Sequence, residues 1–466
     1  MRTVLKNFRV VDEKTDTIAS VIIEDGIITE VMPLVNSSAK APGTNRDGES
    51  GSAIIIDGSR ITSGSSALMP AFVDLHAHFR DPCLSHNDAP PPSEFMETAC
   101  LAAAAGGFGT VVSMANTKPP IDTIEKAVFQ KKRSSALGLV DLYPVLSLTK
   151  NMEGKELSYI AGLSREGGAY IPLLLSEDGK DIANDKLFLL AMAEAKRLNI
   201  PVSCHCDYGG EEAKAAKQAA QKRSVWSRIE ENNAVKRVIE LGKKAGCHIH
   251  IAHVSTREAV EIIRREKAEL AKRKISKTET ATSVRGFRLT CEAMPHNFCL
   301  TEEDAFRLGE ESWGRVNPPL RTEDDRKALI EAISDGTIDA IATDHAPHRA
   351  ADKENGAPGF SGFETAFAAA YTELVHSSHP CIDLKRLSSL MSASPARILG
   401  LGSGPQQRGL IAPGYRADLV IIDTEVSWIV KPEALITNGK NSPFAGSRLY
   451  GKILSTLHSG SFVYNL

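Results

Sequence analysis

Residues 67–80 read ALMPAFVDLHAHFR, and the placement of this stretch decides the fold. A short apolar run, the length of one buried strand, ends in His76-Ala77-His78. Residues i and i+2 of a strand share a face, so both imidazoles point the same way. Arg80 continues the alignment if the strand persists. As plain core residues, two buried histidines would each need a hydrogen-bond partner of their own. A metal ion would answer both at once.

Beyond this stretch, short apolar runs alternate with Ala-rich or Leu-rich helical segments as far as residue 395. The runs include GTVVSM, AYIPLLL, IPVSC, HIHIAHV and IDAIAT; the helical segments include FMETACLAAAAGG, KLFLLAMAEAKRL and DRKALIEAISDG. Such alternation predicts parallel strands with helical crossovers, an α/β fold of the (β/α)8 TIM-barrel type. Active sites of that fold lie at the C-terminal ends of the strands, where His76 and His78 fall.

Both chain ends break the rhythm. The first 35 or so residues read as strands with a turn at Asp25-Gly26, and 36–52 is a Ser/Gly/Asn/Asp-rich loop. After Ser394-Pro395, ADLVIID and residues 449–464 read as strands again. The expected architecture is a barrel over 67–395 beside a small β-sandwich domain made of 1–66 and 396–466. Residues 214–222 read as a solvated helix face, and the charge-dense 264–277 as an exposed excursion.

The bulk composition is that of a soluble enzyme larger than one small domain: 466 residues, 42% apolar, 24% charged, formal charge −3. That charge offers no broad attraction for nucleic acid or an anionic membrane, and the expected partner is a small-molecule substrate. No apolar run spans a bilayer and the N-terminus lacks a signal-peptide core, so a cytoplasmic location is expected. The eight cysteines lack the paired spacing of a structural zinc ribbon. Cys204 and Cys206 flank His205 on a predicted strand and read as buried thiols facing away from it.

Further candidate ligands stand at equivalent strand ends. His205 ends IPVSC, His253 ends HIHIA, Asp344 ends IDAIAT and Asp178 follows AYIPLLLSE. Imidazoles and carboxylates gathered at several strand ends form the N/O donor set that zinc favours. Ser255 and Glu258 have capping-box spacing, which predicts a helix start directly after His253. His248 and His250 face the other way from His253 and read as structural. A metal here would lower the pKa of a bound water and supply hydroxide near neutral pH. Asp344 is the natural group to take that water's proton and pass it to a leaving nitrogen, with a ligand-only role as the alternative.

Together these residues resemble the amidohydrolase superfamily and, within it, the dihydroorotase family of the monomer-type bacterial class. The likeness covers nearly the whole chain: DLHAHFRDP, GGFGTVVSMANTKPPIDT, SEDG, SCHCD, HIAHVST, EAMPHNFCLTEED, RVNPPLR, DGTIDAIATDHAPH, GFETAF, SPARILGL, GYRADLVIID and GKNSPFAG. His-x-His alone marks only the superfamily; TDHAPH, VNPPLR and ANTKPP are more specific. The resemblance implies zinc, one or two ions per subunit and two in the full site. It implies His76 and His78 as ligands of one ion, His205 and His253 of the second, and Asp178 as the bridging carboxylate. Asp344 matches the catalytic acid/base. Arg80, Asn116 and His348 match residues that hold a substrate carboxylate, and Asn317 and the backbone near Gly359 match positions that contact the pyrimidine ring. The implied reaction is the reversible, zinc-dependent closure of N-carbamoyl-L-aspartate to L-dihydroorotate in UMP biosynthesis. The family also admits a homodimer and a complex with an aspartate transcarbamoylase.

The sequence departs from the family pattern at Cys83, where glycine is usual, at Ala115 for proline, and at Glu177 for aspartate. The rival readings are dihydropyrimidinase (hydantoinase) and allantoinase, whose metals are bridged by a carboxylated lysine. AYIPLLLSED offers no lysine before its end, and Lys180 falls after it in a turn. Arg80 also speaks for an acidic substrate. A non-catalytic scaffold relative would be expected to have lost ligands, and all six candidates are present.

Overall fold

Pro70 divides the opening stretch in two. The residues described by the structure, a computed structural model, are 2–34, 53–61, 66–81, 93–164, 170–208, 210–219, 223–275 and 286–465. In chain order the strands are β1 (Arg2–Val11), β2 (Asp16–Glu24), β3 (Ile27–Pro33), β4 (Ile54–Asp57), β5 (Ser66–Pro70), β6 (Phe72–Ala77), β7 (Phe108–Ser113) and β8 (Asp141–Pro144). They continue with β9 (Leu175–Ser176), β10 (Val202–Cys204), β11 (His248–Ile251), β12 (Arg288–Ala293), β13 (Ala340–Ile341), β14 (Leu419–Ile429), β15 (Arg448–His458) and β16 (Ser461–Asn465). ALMPAFVDL, read from sequence as one run, is thus two strands in two sheets. The Ala71 N–H donates to Asp418 O at 2.9 Å on the terminal-sheet side, and the Phe72 N–H donates to Gly107 O at 2.9 Å in the barrel.

The barrel consists of two parallel sheets, β6-β7-β8 and β13-β12-β11-β10-β9. Parallel bridges Leu146↔Leu175 and Ala77↔His345 join them at both seams, closing a ring of eight strands. Helices cross between the strands and carry the expected local signals. Thr123 caps Ile124–Leu137, Asn184 caps Asp185–Leu198, and Thr322 with Asp325 forms a capping box on Glu323–Asp335. The strands are buried on both faces, as a helix-covered parallel sheet requires.

The termini meet in one eight-stranded sheet, β16-β15-β14-β5-β1-β2-β3, with β4 also paired to β1. Its two faces separate by alternation along β14. Leu419 and Ile421 join a core of the sheet's own with Leu5, Phe8, Val21 and Leu457, while Val420 and Ile422 join the barrel core. The sheet folds back on itself where Ile27 bridges Arg416 just ahead of β14, which gives the sandwich.

Several expectations change. The boundary after residue 66 cuts β5, and the boundary after 395 cuts the helix Ser394–Ile398. The charged run from 264 is helix as far as Ile275: Arg257–Ile275 keeps Ala259, Val260 and Ile263 in the core, while Glu266 pairs with Lys243 and Lys267 with Asp339. The segment from 214 is helical as expected, within Gly210–Ala219, and 220–222 lie outside the described residues. The loop at 36–52 and the departure at Cys83 lie outside the described residues. Among the described residues no helix is long and apolar enough to cross a membrane.

Candidate metal centre and active site

At the C-terminal end of the barrel, every predicted site residue except His76 lines one cavity of about 250 Å³. His76 is fully buried, and its Nε2 lies 3.2 Å from Asp178 Oδ1 and 3.7 Å from Asp344 Oδ1. His78 Nε2 is 2.9 Å from Asp344 Oδ1 and 3.5 Å from Asp178 Oδ2. Asp178 Oδ1 also stands 3.3 Å from His205 Nδ1 and 3.8 Å from His253 Nε2. Those two imidazole nitrogens are 2.7 Å apart. Asp178 is therefore the hub on which all four histidines converge.

The donor set fits a metal. Ligand atoms of His76, His78 and Asp344 lie within 4.8 Å of one another, as do those of His76, Asp178 and His253. His76 Nε2 and Asp178 Oδ1 are buried without a hydrogen-bond partner, a costly arrangement unless a cation satisfies both. The electrostatics agree. Burial alone would push His76 down, but the charges of Asp178 and Asp344 and the hydrogen bond to Glu292 outweigh it and raise His76 well above its ordinary value. Burial would raise Asp178, yet the charge of His76 and the close imidazoles of His205 and His253 hold it well below. Against the same burial, the His78 hydrogen bond and the neighbouring imidazoles keep Asp344 low. Both carboxylates are held ionised beside His76, whose imidazole takes up positive charge, while burial and the Arg80 charge lower His78.

Three site residues reach the cavity through left-handed backbone: Arg80 (φ 54°), His253 (φ 34°) and Asp344 (φ 46°). Each costs on the order of 1–3 kcal/mol, strain of a kind that collects at functional sites. His253 shows why. His248 and His250 are the inward-facing residues of β11, with their rings on Thr290 Oγ1 at 2.9 and 2.8 Å. By strict alternation His253 would point outward with Ile249 and Ile251. The turn at its own φ brings it in. Beyond it, Thr256 rather than Ser255 caps the helix, through Ala259 N–H at 3.2 Å. Glu258 pairs instead with Arg228. Glu231 accepts from the Ser255 and Thr256 N–H groups and is paired with the buried Arg321 at 3.0 Å, which fixes the turn.

In the same cavity, Asn116 Oδ1 meets His78 Nδ1 at 2.9 Å, and Asn116 Nδ2 meets Asp178 Oδ2 at 3.4 Å. Asn317 Nδ2 lies 3.1 Å from His205 Nε2, and Arg223 donates to Asn317 Oδ1 at 2.6 Å. His348 Nε2 donates to Pro358 O at 2.9 Å and stands 3.4 Å from Arg80 Nη2. Burial and the Arg80 charge lower His348 to about 3. Gly359 lines the cavity with its polar groups already engaged: its N–H donates to Arg315 O, and its carbonyl accepts from Lys353 and Asn441. Lys180 is exposed and donates to Met152 O at 2.8 Å; no lysine is among the residues lining the cavity. Cys204 and Cys206 are buried thiols.

Sequence reasoning missed the residues behind the ligands. Glu292 Oε1 holds His76 Nδ1 at 3.0 Å, while its Oε2 lies 3.1 Å from His250 Nε2. Asp74 accepts from the His76 and Thr343 N–H groups at 3.1 Å and ties β6 to the residue before Asp344. Both carboxylates sit in barrel strands, and an acidic residue in so apolar a setting was the available signal.

A model of the Amidohydrolase family matches residues 67–463. A dihydroorotase of Clostridium botulinum is 33% identical over 464 residues, covering 100% of both chains. The chain belongs to the amidohydrolase family, in its dihydroorotase branch. A dihydroorotase of Thermoanaerobacter sp. is 34% identical, over 100% of this chain and 97% of its own. Among solved structures, L-hydantoinase (dihydropyrimidinase) from Arthrobacter aurescens superposes on this amidohydrolase with a TM-score of 0.78 at 24% identity, over 99% of this chain and 96% of its own. That likeness speaks for the shared fold.

Proposed function

We propose that this amidohydrolase is a dihydroorotase, interconverting N-carbamoyl-L-aspartate and L-dihydroorotate in the cytoplasm. The observation that carries the reading is Arg80. Its guanidinium lines the cavity beside the ligand cluster, its Nε is buried without a hydrogen-bond partner, and burial lowers its pKa. A cation so placed calls for an anion. Dihydroorotate brings a carboxylate, whereas hydantoin and allantoin do not. The names of the full-length relatives agree.

In this reading His76 and His78 would hold one zinc ion, His205 and His253 a second, with Asp178 between them. Bound zinc supplies Lewis acidity, lowering the pKa of water and polarising a carbonyl. The chain's own part is orientation and proton transfer. Asp344, held ionised, accepts a proton from the attacking water and returns it to the ring nitrogen as the amide opens; ring closure reverses the order. Arg80 binds the substrate carboxylate in its planar fork, with Asn116 and His348 beside it. Asn317 and the wall at Gly359 flank the ring. The test is a paired assay on zinc-replete protein. Dihydroorotate should turn over far faster than hydantoin, and faster opening of hydantoin would overturn the assignment.

A further inference from the structure

Lys353 lies on the short helix Ala350–Glu354, between His348 and Gly359 in sequence, and its side chain is fully buried. Its ammonium donates to three backbone carbonyls: Arg315 at 2.8 Å, Ala357 at 2.9 Å and Gly359 at 3.0 Å. The Phe360 ring centroid is 5.3 Å away. The three N–H donors are thus matched by three acceptors, but the charge is not matched: no carboxylate pairs with Lys353 among the described residues. Burial, reinforced by the Arg315 guanidinium, lowers it to about 7. Buried ammonium groups normally sit with a counter-charge. For volume alone, an apolar side chain would serve at less cost.

What the ammonium adds is a closed tie. Gly359 N–H donates to Arg315 O at 3.0 Å, so Lys353, residue 315 and Gly359 form one hydrogen-bonded ring. Asn441 grips the same wall from the C-terminal segment. Its Nδ2 donates to Gly359 O at 3.0 Å and Ala346 O at 3.1 Å, and its Oδ1 accepts from His348 N–H at 3.0 Å. The two layers are pressed so close that a Cβ on Gly359 (φ +138°) would meet Ala346 Cβ at 2.6 Å. Ala346, His348, Pro358 and Gly359 all line the cavity that the candidate ligands share.

We propose that Lys353 is a positioning residue for recognition of an anionic substrate: it locks residues 357–360 against residue 315 and so fixes the wall that the cavity presents to that substrate. The inference rests on the dihydroorotase reading for its substrate and on the geometry above for its mechanism. The experiment uses the zinc-loaded full chain with Lys353→Met, which keeps the stem and removes all donors, and Lys353→Gln, which keeps two. KM for dihydroorotate should rise about tenfold in Lys353→Met and less in Lys353→Gln, the scale of one lost charge-assisted contact, with kcat and zinc content close to wild type. The Gly359 amide should exchange hydrogen faster in Lys353→Met while the barrel strands keep their protection. If Lys353→Met does not fold, Lys353→Gln carries the test.

Normal KM per folded molecule in the variants overturns the proposal, as does a fall in kcat accompanied by loss of zinc, and so does failure of both variants to fold, which would leave Lys353 purely structural. Wild-type protein that does not open dihydroorotate ends the functional reading instead, and the exchange measurement still decides the clamp.

Discussion

Two strands of this barrel carry the same His-x-His pattern and put it to different uses. His76 and His78 stand at the end of β6, where Asp178 and Asp344 face them across the cavity. His248 and His250 point into the same barrel from β11, but lower down, where Thr290 takes a ring nitrogen of each. The two pairs are joined through Glu292, which touches His76 with one oxygen and His250 with the other. Sharing a face is therefore not what makes a metal site. Height along the strand is, because only at the C-terminal rim do side chains from several strands converge on open space. Lower in the barrel the same imidazoles become buried hydrogen-bonding core.

The largest effect should separate the rim from the interior. Asp344→Ala should retain metal and lose about 10²–10⁴-fold in kcat, the usual range for a general acid/base. Near-normal turnover, with zinc measured on the same sample, would remove Asp344 from that role. Glu292→Gln tests the link between the pairs. A carboxylate behind a metal-binding histidine fixes its ring and raises its basicity, so zinc affinity measured by chelator competition should weaken about 10–100-fold. Unchanged affinity would leave Glu292 with the lower pair alone.

His248 should have the smallest effect and the most specific pH signature. Burial, with the Arg288 and His250 charges, lowers it from 6.5 to about 3. The folded state thus binds this proton less readily than the unfolded chain. The stabilisation is full above pH 6.5 and is lost as pH falls from there toward 3. His248→Gln should change unfolding free energy by about 1 kcal/mol at neutral pH, one hydrogen bond's worth. It should also flatten part of the acid limb in urea titrations. An acid limb identical to wild type would mean that His248 is not held neutral.

The barrel was legible because strand–helix alternation is a local property, and the residues that gather at its rim because each ends an apolar run. The handover at Pro70 was not, since ALMPAFVDL has one hydropathy pattern across two sheets; only the pairing partners at Asp418 and Gly107 distinguish them. His253 was placed on the right strand end, but its inward turn depends on a left-handed residue that alternation does not anticipate. Residues behind the site were least legible. Glu292, Asp74 and Asn441 have partners 42 to 269 positions away and Lys353 grips a loop backbone, and such partners are set by closure of the barrel rather than by spacing.

The proposed opening of an acidic cyclic amide depends on zinc held at a centre organised on Asp178. The most direct test is to strip the protein with a chelator and follow dihydroorotate opening as zinc is added back, in wild type and Asp178→Ala. Activity should return with zinc in wild type, while Asp178→Ala should bind zinc more weakly and stay inactive. Full activity in the stripped protein, or unchanged zinc affinity in Asp178→Ala, would contradict that dependence.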